Sequence, residues 1–320
     1  MRHLALAASL SAALTLVTAS TSFAQDYPSR LITFLVPFAA GTATDTVARF
    51  LAEGVSKRLK QTVIVENKAG ANGMIGARAL VGGTSDGYTV FITTSSTHAA
   101  NANLYNELGY DPVKDFAPVA RLAEIPLAIV VGADLPVNTL PDLMKLAKTK
   151  TLSYASGNTS GLIGAELIAY AAKAKMVRVP YANNTQGILD VITGRVDMMA
   201  ADMTIALPQI EAKKLKALAV TSTTRIRQLP DTPTVKEAGY PETGLIGWWA
   251  AFVKAGTPPA IVSKLNATLV DVINSKEGEE FLARNGAKPY ASTPEQLRDF
   301  VVSETASWAK FVEIAGIEKQ

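Results

Sequence analysis

The chain has no cysteine in its 320 residues. That excludes disulfides, thiolate metal sites and thiol nucleophiles, and it fits an oxidising compartment. Histidine is nearly absent too. Of the two, His3 lies at the N-terminus, so His98 is the single imidazole of the remaining chain. One imidazole excludes paired-histidine zinc motifs such as His-Glu-x-x-His and leaves one candidate histidine base. Dense basic runs are missing: 31 Lys and Arg are scattered against 28 Asp and Glu, so no stripe could follow a phosphate backbone and nucleic acid is not an expected partner. Membrane-length apolar runs are missing as well. The run at residues 4–17 falls short of the roughly 20 residues that span a bilayer. It follows Arg2 and His3 and ends at Ser22-Phe23-Ala24, the layout of a cleavable secretory signal, and no Cys follows it for lipid attachment. We therefore expect a signal at 1–24, cleavage near Ala24, and a periplasmic protein that is soluble and monomeric. Cofactor motifs fail in turn. Gly70, Gly73 and Gly76 lack the Gly-x-Gly spacing of a dinucleotide site, no Gly-x4-Gly-Lys-Ser/Thr loop exists, and Gly157-Asn158-Thr159-Ser160-Gly161 has Thr159 where a nucleophile elbow needs Ser. No cofactor and no metal are expected.

From residue 31 onward a short β-branched run, a turn rich in Gly, Ser, Thr or Asn, and a helical pattern recur. Residues 31–36 read as a strand that leads into a helix with Val47, Phe50, Leu51, Val55 and Leu59 on one face. Residues 62–65 and 89–93 read as buried parallel strands. After Ile125-Pro126 the pattern restarts, with strands at 127–131, 152–155, 177–179, 198–201 and 217–220 and helices at 140–148, 163–172, 186–193 and 205–213. A Pro-rich stretch, 228–243, leads to the apolar run 247–253 and a mainly helical tail. The expected fold is α/β with two lobes and two crossovers between them, one near 124–131 and one near 245–253. The lobes would be residues 25–125 plus 246–320, and residues 126–245. Two crossovers make a hinge that closes on something small.

In open α/β sheets a ligand sits beyond the carboxyl ends of the strands, where helix N-termini offer unpaired N–H groups. One such turn stands in each half: Pro37-Phe38-Ala39-Ala40-Gly41-Thr42-Ala43-Thr44-Asp45 and Tyr154-Ala155-Ser156-Gly157-Asn158-Thr159-Ser160-Gly161. Neither contains Lys or Arg, so an anion there would be held by backbone and hydroxyl dipoles. Thr42 or Thr44 could instead cap the helix, with Asp45 completing a Thr-x-x-Asp capping box.

These turns, together with Val65-Glu66-Asn67-Lys68-Ala69-Gly70-Ala71-Asn72-Gly73, Asp86-Gly87-Tyr88-Thr89, Thr97-His98-Ala99, Tyr110-Asp111-Pro112, Val179-Pro180-Tyr181, Gly194-Arg195-Val196-Asp197 and Leu229-Pro230-Asp231-Thr232-Pro233, resemble the Bug receptors, the extracytoplasmic binding proteins of tripartite tricarboxylate transporters. The resemblance spans nearly the whole chain after the signal. It implies a Venus-flytrap fold of the type II kind, with loops from both lobes gripping a carboxylate. By position, Phe38, Ala39, Ala40, Gly41, Thr42, Ala43, Thr44 and Asp45 would form one jaw. Ser156, Gly157, Asn158, Thr159 and Ser160 would form the other, and Ser95, His98, Tyr181, Asn183, Asp202 and Trp248 would be further contacts. For Asp202 a helix cap, and for Trp248 core packing, are the competing roles. The chain departs from the family pattern at Ala40, Thr42 and Ala43, at Leu162, and at Ala182, Asn183 and Asn184, so the resemblance carries the fold but not the ligand. The implied partners are a small organic acid and the membrane subunits of a tripartite transporter, or a membrane sensor kinase. The competing enzymatic expectation is a serine hydrolase that uses Ser160 or Ser156 with His98, which requires both groups within hydrogen-bond reach.

Overall fold

The computed structural model describes residues 27–241 and 245–320; the expected signal, 1–24, lies outside them. In chain order the elements of the first half are β1 (Ile32–Val36), α1 (Ala43–Leu59), β2 (Val63–Asn67), α2 (Met74–Val81), β3 (Thr89–Thr94), α3 (Asn101–Leu104) and β4 (Phe116–Ile125). A 3-10 turn (Ala71–Gly73) precedes α2 and a π turn (Ser96–Ala100) precedes α3. Next come β5 (Leu127–Gly132), α4 (Leu140–Thr149), β6 (Leu152–Ser156), α5 (Thr159–Ala171), β7 (Met176–Pro180), α6 (Asn184–Ile192), β8 (Met198–Asp202), α7 (Met203–Glu211) and β9 (Leu215–Val220). The chain then returns through β10 (Gly247–Lys254), α8 (Pro259–Ile273), α9 (Lys276–Arg284), β11 (Lys288–Pro289) and α10 (Pro294–Ile314).

Two sheets result, one per lobe, in the orders β11-β4-β10-β3-β1-β2 and β7-β6-β8-β5-β9. The chain passes from the first sheet to the second at Pro126, between β4 and β5, and returns between β9 and β10. Both sheets are mixed: β1 runs parallel to β2 and β3, and β6 parallel to β7 and β8. The crossover strands run the other way, β10 against β3 and β4, and β5 against β8 and β9. The expectation of a buried strand at 62–65 is corrected here. β2 is a sheet edge whose side chains alternate between half-buried and exposed, because one of its sides has no neighbour.

Period-two alternation divides the cores. Ile32, Phe34 and Val36 face α1 and α8 on one side of the first sheet, while Leu35 faces the other. That second face belongs to an apolar cluster that continues through Phe91 and Trp248 to Leu127, Tyr154 and Ile163 of the second lobe. Sequence signals place the helix ends. Thr139 and Thr293 form capping boxes with Asp142 and Gln296, each with Pro at the start of the helix. Helix α5 begins four residues before the expected 163, because Asn158 caps it and Gly161 and Gly164 let its first turns approach Ala200 of β8. Among the described residues no helix is long and apolar enough to cross a membrane.

Candidate functional site

Both jaw turns stand at the carboxyl ends of parallel strands, the first after β1 and the second after β6. In the first, Asp45 is the anchor. Its buried carboxylate accepts from the Gly41 N–H (2.9 Å), Arg49 Nε (3.0 Å) and Asn67 Nδ2 (3.0 Å). Asn67 Nδ2 also reaches the Phe38 carbonyl at 2.9 Å, so the turn is clamped at both ends. Burial alone would raise the Asp45 carboxyl, but the Arg49, Gly41 and Asn67 donors outweigh it and hold it below the ordinary range. Thr42 caps α1 by accepting from Asp45 N (3.4 Å) and donates to the Ala39 carbonyl (2.8 Å). Asp45 completes only half of the expected box, since its side chain reaches Gly41 N. Phe38 and Ala43 remain half-exposed, and Ala39, Ala40 and Gly41 are exposed.

In the second jaw Asn158 caps α5, accepting from Gly161 N at 2.8 Å. Its amide donates to Asp202 Oδ2 (2.9 Å), as does that of Asn184 (2.8 Å), whose own carbonyl takes the Gly157 N–H (2.9 Å). Asp202 therefore ties three segments together instead of capping α7, whose N-terminus shows no side-chain cap. Burial raises its carboxyl above the ordinary range, opposed by the Asn184 and Asn158 donors. Gly157, Asn158, Thr159 and Asp202 remain half-exposed.

Each cap takes the third N–H of its helix. The first two, of Ala43 and Thr44 in α1 and of Thr159 and Ser160 in α5, are left without an intrahelical or cap partner. The lobes meet beside these turns: Asn72, in the turn that packs on Pro37, Thr97 and Phe38, donates from Nδ2 to Thr159 Oγ1 at 3.1 Å.

Of the other expected contacts, His98, Trp248, Thr44 and Ser95 are buried, while Tyr181, Asn183, Ser156 and Ser160 stand at the second turn. His98 is fully buried, stacked on Phe252 (3.8 Å) and edge-on to Phe116 (4.5 Å). Its Nδ1 bonds Thr97 Oγ1 (2.9 Å) and its Nε2 has no partner. Burial lowers its pKa to about 3. It is a neutral core residue of the first lobe and forms no pair with Ser156 or Ser160 of the second, so the hydrolase expectation fails on geometry. Trp248 is fully buried against α10, donating to Glu304 Oε2 at 3.0 Å, on β10, a central strand of its sheet. Thr44 is buried and accepts from Trp249 Nε1 (3.3 Å), and Ser95 is buried after β3. Asn183 caps α6 through Gln186 N, and Tyr181 donates to Asp190. Ser160 is buried, and Ser156 is buried with its Oγ taking the Arg178 Nε hydrogen at 2.8 Å. The partners missing from the sequence reading are Asn67, Asn72, Asn101, Asn184, Arg49 and Arg178. A shared signal was present for Asn67 and Asn184, which adjoin strand ends in the same way as the jaw turns do. Among the described residues no cluster of His, Asp and Glu could hold a metal.

Residues 47–317 match the family described as tripartite tricarboxylate transporter family receptor. Among solved structures, the R. palustris protein Rpa4515 with adipate superposes with a TM-score of 0.87 at 33% identity, covering 92% of this chain and 100% of that one. The periplasmic binding protein BugD gives 0.83 at 32%, covering 92% and 100%. MatC from Rhodopseudomonas palustris, with bound malate, gives 0.81 at 30%, covering 89% and 100%.

Proposed function

This chain belongs to the tripartite tricarboxylate transporter receptor family, and we propose that it captures a small dicarboxylate between its two jaw turns. It is a solute-binding receptor of the two-lobed type and not an enzyme, as are its family and its solved neighbours. The observation that carries the ligand class is the pair of helix N-termini from opposite lobes, each with two uncommitted N–H groups and neither with a Lys or Arg side chain in its turn. An N–H pair with the dipole behind it suits one carboxylate oxygen pair. Asn72 of the first lobe reaches Thr159 at the second of these ends, and two such ends brought together suit an acid with a carboxylate at each end; adipate and malate, bound in two relatives, are both of that kind. Asp202, held by two amides, would accept from a hydroxyl or ammonium on the ligand.

In this reading the protein acts as a periplasmic monomer, its first 24 residues removed on export, and hands the loaded acid to the membrane subunits of a tripartite transporter. The test is thermal unfolding and calorimetry of the exported protein with straight-chain dicarboxylic acids from malate to adipate and longer, and with matched monocarboxylic acids. A true ligand at a hundredfold its Kd adds about 2.7 kcal/mol of stability. A panel in which no diacid shifts the transition, or in which monoacids bind equally well, overturns the two-ended site.

A further inference from the structure

The residues 70–73 form a turn in which every residue has positive φ: Gly70 at 132°, Ala71 at 45°, Asn72 at 50° and Gly73 at 87°. Left-handed backbone is unfavourable for Ala and only tolerated by Asn, so surrounding groups must hold it. They do so through Asn101, which is fully buried at the start of α3. Asn101 Nδ2 donates to the Asn72 carbonyl (3.1 Å), while Asn101 Oδ1 accepts from Asn72 Nδ2 at 2.7 Å. The Tyr110 hydroxyl lies 3.5 Å from Asn101 Nδ2 and donates to the Thr97 carbonyl at 2.8 Å, tying the assembly to the first lobe. The remaining Asn72 amide hydrogen points across the cleft to Thr159 Oγ1, at 3.1 Å. Thr159 is the first residue of α5, next to Asn158, which holds Asp202.

We propose that Asn72 is a positioning residue for the second jaw, a latch that draws the N-terminus of α5 toward the first jaw and populates the closed arrangement of the lobes before a ligand arrives. The physical reason is preorganisation. A rigid, buried Asn101 fixes the donor in place, so forming the cross-lobe bond costs little conformational entropy on the first-lobe side. A receptor that spends part of its time closed gives up less affinity to the closing step. This concerns the chain's own lobes, so it is read without any added acid and stands or falls separately from the dicarboxylate assignment.

The chain has no native cysteine, so spin labels can be placed cleanly at Glu53→Cys on α1 and Leu189→Cys on α6, both exposed and in different lobes. Pulsed electron resonance on the ligand-free protein reads the distance distribution. The expected result is a short, closed component in the otherwise unmodified chain. Asn72→Gly keeps the left-handed turn and deletes the donor, together with the bond to Asn101 Oδ1 inside the first lobe, which is present in open and closed forms alike; Thr159→Val deletes the acceptor alone. Each is expected to lower the closed-to-open ratio about fivefold, the scale of one neutral hydrogen bond. The double variant is expected to fall no further, and Thr159→Ser to retain the original ratio. Distributions unchanged in both single variants, an additive further fall in the double variant, or the lack of any short component in the starting protein would each overturn the latch.

Discussion

At the scale of single residues the structure reverses the chemistry that residue type alone implies at two places. Asp202 is a carboxylate whose burial works against its charge. Both of its amide donors converge on one oxygen, Oδ2, so an Asn at this position could keep both bonds through its carbonyl and shed the burial cost of the charge. We expect Asp202→Asn to raise the melting temperature at pH 7. The sign follows from the raised folded-state pKa. Folding is penalised above that pKa, the penalty fades as pH falls through it, and the difference between variant and parent vanishes below the unfolded value near 3.8. A variant that melts lower at pH 7, in scanning calorimetry across pH, would contradict this account. His98 has the opposite linkage: buried neutral with a pKa of about 3, it takes up its proton in the unfolded chain first. Stability should fall as pH drops from about 6.5 toward 3, by up to about 1.4 kcal/mol per pH unit. Urea titrations of the parent and of His98→Leu should differ in that slope, and identical slopes would mean the imidazole is reached by solvent.

Elements bring the jaws together through close backbone approach, and glycine decides where that is possible. A Cβ on Gly157 would stand 2.2 Å from the Asn183 carbonyl carbon and 2.4 Å from Asn184 N, so the turn after β6 and the start of α6 touch as bare backbone. Gly157→Ala must push them apart and pull Asn184 from Asp202. We expect a loss of about 2–3 kcal/mol in chemical denaturation together with weaker ligand binding. Gly41 differs. No atom lies within 4 Å of its would-be Cβ, but its φ is +81°. A single added Cβ there crowds no protein atom and pays only left-handed strain, so Gly41→Ala should cost about 1–2 kcal/mol. Equal costs at the two positions, or a larger one at Gly41, would show that the backbone at 157 gives way freely.

For the whole molecule, we expect closure to be the working motion, because two sheets are joined at Pro126 and by the return to β10, with one apolar cluster running between the lobes. Loading with a bound diacid should reduce the radius of gyration in small-angle scattering without altering the circular dichroism of the helices. Affinity should respond weakly to salt, by no more than about threefold between low salt and roughly 0.5 M, because the turns offer dipoles and Arg49, the cation beside the first, is paired with Asp45. A steep loss with salt would place an uncommitted Lys or Arg on the ligand.

The sequence by itself determined the alternation of strands and helices, the two-lobed class and the place of both jaw turns. Those depend on local periodicity and on caps such as Thr42 and Asn158, whose partners lie within a few residues. It also carried the family, through motifs spread along the chain. Which side chains face the cleft was decided only by tertiary structure. Whether His98 stacks on Phe252 or meets a ligand depends on a strand more than 150 residues away in the chain. Trp248 and Trp249 are adjacent yet serve opposite faces of β10. The same holds for the asparagines: Asn67, Asn72, Asn101 and Asn184 look alike in sequence, and only the fold sets one against Asp45, one against Asp202 and a third across the gap between the lobes. A hydrogen bond is set by distances of a few tenths of an ångström, and no local pattern encodes those between segments that meet only once the chain has folded.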